Sequence, residues 1–477
     1  GADYAVLQQG FSLQADPQNE DSEEILGTTG AAAPIVKKSK ASGEISQYVH
    51  GSGVIGTAPK IGKFIEGAIG AVVAAHGTDR LTTTSSTAGD ADTNAILKLA
   101  SGGSDFQRGK MVIYDKSVIR NVLSVSSNDL TMAFNFSSPP SSGKKTGRAT
   151  LYKPSDIRKS YSLIEYMANG LGIQLGAGMK IDSATFSIQA NKPLNAQFSF
   201  KGTGHYFDPI VLTSSNNKLD LNDGSTDFNI TIPAGVYKDP HELASAITDE
   251  ISAAGYTNAC VVKYYDTGTD AGKFNFTFAS GTNKLEWATG TNTAENIGGG
   301  ALGFDDSADD TGGSSYTSDN AQSWAAPHTP STETITAPLV MTDTEMLIGT
   351  RDRISCPGVR TSEIKITNTY KEDEFVCGND ERTLTGFVVE IQNNMRASRH
   401  DAHYFRKLRT GENVQYQFSA GRKQASRWVE ASIFNVFSPQ MIVTSAVVTG
   451  DETVDIDLGL KAYVTADQLR EFYINFG

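Results

Sequence analysis

The chain has 477 residues, of which 39% are hydrophobic, 9% aromatic and 20% charged. This length exceeds the roughly 250–300 residues that a single hydrophobic core can serve, so the sequence predicts several domains. Asp and Glu outnumber Lys and Arg by 54 to 41, for a net charge of −13, which argues against tight nucleic-acid binding because such binding depends on neutralising phosphates.

Membrane, disulfide and metal classes are also disfavoured. No stretch approaches the roughly 18 apolar residues of a membrane helix. Cys260, Cys356 and Cys377 give an odd count without a CxxC spacing, so neither a disulfide framework nor a zinc site is predicted. We therefore expect no membrane insertion by this chain.

Strand signals dominate the chain after an acidic N-terminal arm at residues 1–29. Alternation of apolar and polar positions, typical of half-buried strands, occurs at 44–49, 110–114, 184–189, 196–200, 363–367, 386–391, 414–418 and 454–458. Helices are predicted at 59–69, 240–254 and 400–408. The sequence thus predicts a mainly β protein with a minority of helix.

Two distant stretches of the chain repeat one another. Met179 begins MKIDSATFSIQA and Met441 begins MIVTSAVVTG, and each stretch is followed by a polar turn and an alternating strand. Upstream, the strand at Gly43 and the strand at Gly386 both precede a loop and a helix. The order and spacing of these elements predict a duplicated fold, with one copy at 30–206 and the other at 336–477.

Two segments interrupt this repeat. Turn-rich stretches at 76–108 and 137–148 flank a small strand pair, which predicts an insertion at about 71–150 of the first copy. Between the copies, 207–335 has the order β-β-α-β-β and includes a long polar linker predicted at 298–334. A complete unit between the halves of a repeat is expected to be an inserted domain on the outer surface.

No group of residues predicts catalysis. Residues 51–56, GSGVIG, have the glycine spacing of a dinucleotide-binding loop, but no further βαβ units follow, and a sharply turning loop explains the glycines. His400 and His403 lack a third ligand, and the acidic residues at 305–310 lack the spacing of a calcium loop. We expect no enzyme, no cofactor and no metal site.

A basic cluster stands out in this acidic chain. Its residues are Arg396, Arg399, Arg406, Lys407 and Arg409, followed by Arg422, Lys423 and Arg427. Contact with DNA is one interpretation, but ion pairs with a neighbouring subunit are favoured. The candidate partners are the acidic residues of the N-terminal arm, namely Glu20, Asp21, Glu23 and Glu24.

Three segments of the first copy carry a family resemblance. They read SYSLIEYMANGL at 160–171, GAGMKIDSATFSI at 176–188 and LNAQFSFKG at 194–202. This succession of an aromatic-containing strand, a G-x-x-x-x-S strand and an F-x-F-x-G strand resembles the tail tube proteins of long-tailed bacteriophages. The likeness extends over 30–206 and 336–477, while the middle unit resembles modules of other phage surface proteins and of flagellar filaments.

The resemblance implies two tandem β-sandwich or split-barrel domains with flanking helices, whose sheet edges join those of neighbours in a ring. It implies a structural virion protein, made in the host cytoplasm, whose rings stack into the tube that delivers the genome. Because each chain carries two copies, a ring of three chains is expected. Its partners would be other copies of itself, the tape measure and distal tail proteins, and double-stranded DNA as a transient passenger.

The resemblance also gives expectations for the lumen and leaves alternatives open. Asp455 and Asp457 are the candidates for an acidic lumen wall, since repulsion would keep DNA moving. A distal-tail or baseplate hub protein, or a secretion tube, could be built from the same duplicated fold. A carbohydrate-binding surface protein working through 207–330 is the alternative outside this structural class.

Overall fold

The computed structural model describes residues 10–20, 35–73, 81–83, 93–166, 173–280, 282–321, 338–340, 343–350, 353–355, 358–373, 381–396, 406–407, 409–449, 455–462 and 472–477. The protein is mainly β, as its sequence predicts, with 58% strand and 11% helix. Across these ranges, none of the helices has the length and apolar character needed to cross a membrane.

The first half of the chain contains a hairpin, a short helix and an inserted sheet. Before the insertion lie β1 (Gly10–Glu20), β2 (Ile35–Tyr48), α1 (Gly62–Ile69) and β3 (Gly70–Val73). The inserted sheet consists of β4 (Leu81–Thr82), β5 (Ile96–Lys98), β6 (Met111–Tyr114), β7 (Val118–Ser126), β8 (Asp129–Met132) and β9 (Lys145–Gly147). The half ends with β10 (Thr150–Pro154), β11 (Tyr161–Tyr166), β12 (Ile173–Gln189), β13 (Asn195–Gly202) and β14 (Gly204–Phe207).

The middle unit and the second half follow. The middle unit has β15 (Ile210–Leu212), β16 (Lys218–Asn222), β17 (Asp227–Thr231), β18 (Gly235–Tyr237), α2 (Pro240–Ala253), β19 (Cys260–Tyr264), β20 (Phe274–Phe278), β21 (Asn283–Leu285), β22 (Asp310–Gly313) and β23 (Ser315–Thr317). The second half has β24 (Asp343–Thr350), β25 (Arg353–Ser355), β26 (Val359–Asp373), β27 (Glu381–Arg396), β28 (Val414–Gln424), β29 (Arg427–Thr449), β30 (Asp455–Ala462) and β31 (Tyr473–Phe476).

The predicted helices agree with the structure where it describes them. The helix α1 begins at Gly62 and not at Pro59, because the Gly62 N–H closes a tighter turn onto the Pro59 carbonyl at 2.9 Å. The helix α2 begins where predicted, and the Asp239 carboxylate caps it by accepting from the Glu242 N–H at 2.9 Å. Of the helix predicted at 400–408, only 406–407 lies within the described residues.

One hydrophobic core serves both halves of the chain. Buried residues from β1 to β31 belong to one cluster, including Phe198 of the first half and Phe418 of the second. The rings of Phe186 and Phe434, one from each half, have centroids 5.5 Å apart. Strands of both halves also share one sixteen-stranded sheet within the described residues. The two halves therefore form a single packed body.

The two halves have the same strand pairing. In the first half, four residues lie opposite one another across β1, β2, β13 and β12, in the order Leu13, Gly43, Phe200 and Ile181. In the second half, a matching row crosses β26, β27, β30 and β29, in the order Ile364, Ile391, Leu460 and Val443. Each row ends on the long strand that the sequence repeat marks.

The bulges of the two halves match as well. Where β12 pairs with β13 the register shifts after Ile181, and where β29 pairs with β30 it shifts after Val443. Where β11 pairs with β12 it shifts after Tyr161, and where β28 pairs with β29 it shifts after Val414. Bulges are specific features of a fold. Shared register and shared bulges show that the halves repeat one strand arrangement.

The pairing corrects one detail of the sequence alignment. Gly43 lies opposite Phe200, whereas the residue opposite the equivalent Leu460 is Ile391. Gly43 therefore corresponds to Ile391 and not to Gly386. The two assignments differ by an odd number of residues, so matching the glycines would also exchange the two sides of the strand. Letter likeness alone misplaced this strand.

The middle unit has a core of its own. Its buried cluster contains only residues between 210 and 316, among them Ile247, Phe276 and Trp287. The polar linker predicted from residue 298 is wrong for 298–321, since β22 pairs with β21 and β23 pairs with β20. Phe304 explains this, because its ring packs against Trp287 with centroids 5.0 Å apart. Residues 322–337 lie outside the described ranges.

Because this core is self-contained, we predict that residues 207–321 fold alone. The isolated segment should unfold in one cooperative thermal transition measured by circular dichroism. Phe276→Ala should lower its free energy of unfolding by about 3–5 kcal/mol by opening a cavity. Val261→Ala, at a side chain 46% exposed, should change it by less than about 0.5 kcal/mol. An isolated segment without a cooperative transition would contradict the prediction.

Candidate functional site

Eight strands of the large sheet have one face in the core and one face away from it. They are neighbours in the order β1, β2, β13, β12, β26, β27, β30 and β29. On β13, Phe198 and Phe200 are buried in the core, whereas Gln197 and Lys201 are exposed on the opposite face. This alternation is that of an antiparallel sheet with one solvated side. We call the solvated side of these eight strands the polar face.

Both copies contribute equivalent residues to the polar face. Phe198 lies opposite Ala184 and Leu458 lies opposite Ala446, so the residues around Phe198 and Leu458 correspond. Gln197 therefore corresponds to Asp457, and Lys201 corresponds to Lys461. The repeat thus preserves the polar character of this face, including one lysine, at matched positions.

Charges of both signs alternate along the polar face. Its charged residues include Glu44, Lys201, Glu363, Lys365 and Glu390, which are exposed, and Lys461, which is half-buried. Lys461 Nζ lies 3.4 Å from Glu390 Oε1, and Gln197 Nε2 donates to Glu44 Oε1 at 2.6 Å. The pair of Lys461 and Glu390 offsets local charge. The polar face is therefore a mixed-charge surface.

The two lumen candidates differ in their surroundings. Asp455 is only 9% exposed, and its Oδ2 lies 3.3 Å from Arg360 Nε. Its charge is thus balanced by a cation of β26 and not presented to solvent, which is the reverse of what a repulsive wall requires. Asp457 is half-buried on the polar face and accepts a hydrogen bond from Asn394 Nδ2 at 2.7 Å.

The basic cluster is only partly described. Arg396, Arg406 and Arg409 are exposed, and Arg399 lies outside the described residues. Lys407 Nζ lies 3.2 Å from Glu412 Oε2, and this hydrogen bond lowers the pKa of Glu412. Lys407 therefore has a partner in its own chain.

The arm predicted at 1–29 is wrong for residues 10–20, which form β1 and pair with β2 as part of the first copy. The backbone of Glu20 ends β1, and Asp21, Glu23 and Glu24 lie outside the described residues. The pairing of arm and basic cluster across subunits stays a prediction.

An open cleft at one end of the sheet contains Arg158, Lys180 and Arg382. Each cation already has a protein partner: Arg158 donates to the Ser155 carbonyl, Lys180 donates to the Arg382 carbonyl, and Arg382 Nε lies 3.1 Å from Glu372 Oε1. A hydrogen bond from Lys40 lowers the pKa of Glu372. These groups hold strands together, so the cleft is structural.

The glycine loop at 51–56 also has a structural explanation. Gly53 and Gly56 have φ angles of 70° and 82°, which favour glycine. A Cβ on Gly51 would lie 2.3 Å from the Ala431 carbonyl oxygen. The loop therefore packs closely against β29 and does not form an open cradle for phosphates.

Sequence reasoning expected open sheet edges but did not identify the strands that form them; among the described residues they lie at each end of the eight-strand run. Within the described residues, β1 pairs only with β2. At the other end, residues 445–449 of β29 pair with β30 on one side and with no described strand on the other. Val447 and Val448 in this segment are 55% and 54% exposed. Two adjacent valines in a strand-like stretch were the available signal.

Comparison with known proteins gives no family. No protein-family model matches the chain, and no curated protein matches it either. Over the part of the chain that the structure covers, no group of three or more His, Cys, Asp or Glu is placed to hold a metal ion. The polar face and its two edges are therefore the candidate functional site.

The ion pair of Arg360 and Asp455 links β26 to β30 across β27 and is expected to stabilise the sheet. Arg360→Ala leaves the largely buried carboxylate without this cation and should lower the free energy of unfolding by about 1 kcal/mol, discounted for the half-exposed guanidinium. Arg360→Lys should recover part of this loss. Lys365→Ala, on the same strand, is the control and should leave the denaturant midpoint unchanged. Equal losses of stability in both alanine variants would contradict a specific role of the ion pair.

Proposed function

We propose that this chain is the structural subunit of a phage tail tube, in which chains join edge to edge into rings of three and the rings stack into a conduit for DNA. The observation that carries the proposal is the joint between the two copies. There β12 and β26 form an antiparallel ladder of seven residue pairs, from Ser183–Thr367 to Gln189–Thr361. The chain thus contains one example of a copy joined to the next copy through sheet edges.

The two free edges support head-to-tail assembly. One copy uses its β12 edge and the other its β26 edge in the internal joint, which leaves the β1 edge and the outer part of β29. The free β1 edge is equivalent to the β26 edge of the internal joint, and the free β29 edge is equivalent to its β12 edge. A head-to-tail contact repeated with rotation closes a ring, and a ring removes the exposed edges that promote aggregation.

The number of strands supports a wide opening. Each copy supplies four strands to the polar face, so three chains supply six copies. About 24 strands spaced about 4.8 Å apart and tilted about 40° enclose a wall about 50 Å across between backbones. Inner side chains reduce this by roughly 10 Å. Such an opening leaves room for a DNA double helix.

A single chain closed on itself is a poorer solution. Eight strands enclose an interior that side chains fill, and here those side chains would include Glu363, Lys365 and Glu390. Burying such charges without full pairing is costly. A polar face suits a wide, hydrated lumen, where mixed charges leave passing phosphates without a continuous basic surface to bind.

Electron microscopy and mass measurement test this proposal. Purified protein should form hollow tubes, and rings released from them should have three times the chain mass of 51.0 kDa. Short single rings would favour the hub alternative. Six chains per ring, or a protein that stays monomeric at high concentration, would contradict the proposal.

Basic substitutions on the polar face should make the lumen retain DNA. Gln197→Lys with Asp457→Lys places new cations at equivalent positions of both copies. Tubes should still form, and at low salt they should retain more DNA than the parent tubes do. This retention should fall steeply as the salt concentration increases. Asn229→Lys with Asp227→Lys makes the same charge change on the exposed face of the middle unit and serves as the control. Equal retention by both variants would show that the polar face does not face the DNA.

A further inference from the structure

We infer that neighbouring chains join by antiparallel pairing of residues 445–449 of β29 in one chain with residues 12–16 of β1 in the next, with Val448 opposite Leu13. The inference rests on the proposed assembly of the chain with itself and specifies its joint. It is drawn from the internal joint, whose register the repeat transfers to the two free edges.

The register follows from the two equivalent rows. Ile364 begins the row of the second half, as Leu13 begins the row of the first, so these two residues correspond. In the internal joint, Ile364 lies opposite Phe186. The number of residues from Ile181 to Phe186 equals the number from Val443 to Val448, and an equivalent bulge lies within each stretch. The residue that should lie opposite Leu13 of the next chain is therefore Val448.

Exposure on the β29 side indicates a missing neighbour. Phe186 is fully buried beneath its neighbour β26, whereas the equivalent Val448 is 54% exposed. Both residues lie on the core side of the sheet. An apolar residue on the core side of an unpaired edge is a liability in a lone chain. A strand laid along 445–449 would cover Val448 as β26 covers Phe186.

Exposure on the β1 side indicates the same. Ile366 of β26 is fully buried in the internal joint, where it lies opposite Ala184. Its equivalent in β1 is Ala15, which is exposed. The equivalent of Ala184 is Ala446, which is half-buried. The joint between chains thus pairs two alanines, and small side chains allow a close approach of the two strands.

The polar faces of neighbouring chains become continuous in this register. Gln14 corresponds to Lys365 of the internal joint and would lie opposite Val447, while Ser12 would lie opposite Thr449. A shift of one residue would turn the core side of β1 onto the polar face, placing Leu13 there. The register with Val448 opposite Leu13 is therefore the one that keeps both sides consistent.

The occupant of each edge is a second copy of this chain. Its two free edges are equivalent to the two strands of the internal β12–β26 ladder. They have the same strand directions, and β29 has the same bulge as β12. A strand of another protein would fill one edge and leave the other open, whereas copies of this chain fill both.

Cysteine pairs test the register in the assembled full-length protein. Ala15→Cys with Ala446→Cys places thiols on directly opposite residues, within reach of a disulfide. After mild oxidation of rings or tubes, a non-reducing gel should show cross-linked dimers and trimers and nothing larger. The matched control, Gln14→Cys with Ala446→Cys, points one thiol to the other face and should cross-link at least about tenfold less. Single-cysteine variants control for the three native cysteines.

The outcomes separate this inference from the proposed function. Tubes without in-register cross-linking, or cross-linking equal in both pairs, would overturn the joint and leave the tube standing. A disulfide within one chain, seen as a faster-moving monomer, would overturn the joint as well. Cross-linked oligomers without tubes or rings would support the joint and contradict the tube. Monomers alone, uncross-linked at high concentration, would overturn both.

A charge at the edge provides a second test. Val448→Asp should abolish assembly, because burial of the carboxylate between chains is costly, while the monomer keeps its thermal midpoint. Val261→Asp, at an exposed valine of the middle unit, should assemble as the parent does. Normal tubes from Val448→Asp would overturn the joint.

Discussion

The hydrogen-bonding demand of strand edges governs the rest of this structure. A strand at the end of a sheet carries unpaired N–H and C=O groups that must be covered, paired or solvated. Inside the chain, the ladder between β12 and β26 satisfies this demand for one edge of each copy. Because the joint is made of backbone hydrogen bonds, it depends little on side-chain identity, which is why two copies with few identical residues can use it.

A division between the two sides of the sheet follows from that ladder. On one side, residues such as Phe186 and Phe434 hold the copies in a common core. On the other side, the side chains of the polar face do not pack in the core and can be solvated. Matched bulges after Ile181 and Val443 bend both long strands at the same point, so both copies keep the same side turned to the core.

The sequence predicted the strands and the repeat well, because alternation over several residues reports directly which side of a strand is buried. It predicted the relation of distant strands poorly. Gly43 was matched to the wrong residue, and the ion pair of Asp455 with Arg360 was not foreseen. Both cases concern partners far apart in sequence, which local patterns do not encode. The end of the middle unit was misjudged because its strands β22 and β23 are short and rich in Gly and Ser.

The parts that do not repeat lie outside the eight strands. The inserted sheet β4–β9 is held to the second half by buried amides, with Asn121 Nδ2 donating to Asn435 Oδ1 at 2.8 Å and Asn475 Nδ2 donating to the Gly109 carbonyl at 3.1 Å. Only the first copy carries this insertion, yet it stabilises the other. The copies therefore cannot be separated without exposing polar groups that are costly to leave unpaired. In the proposed ring, this dependence makes the whole chain the unit of assembly and restricts the free joints to the edges between chains.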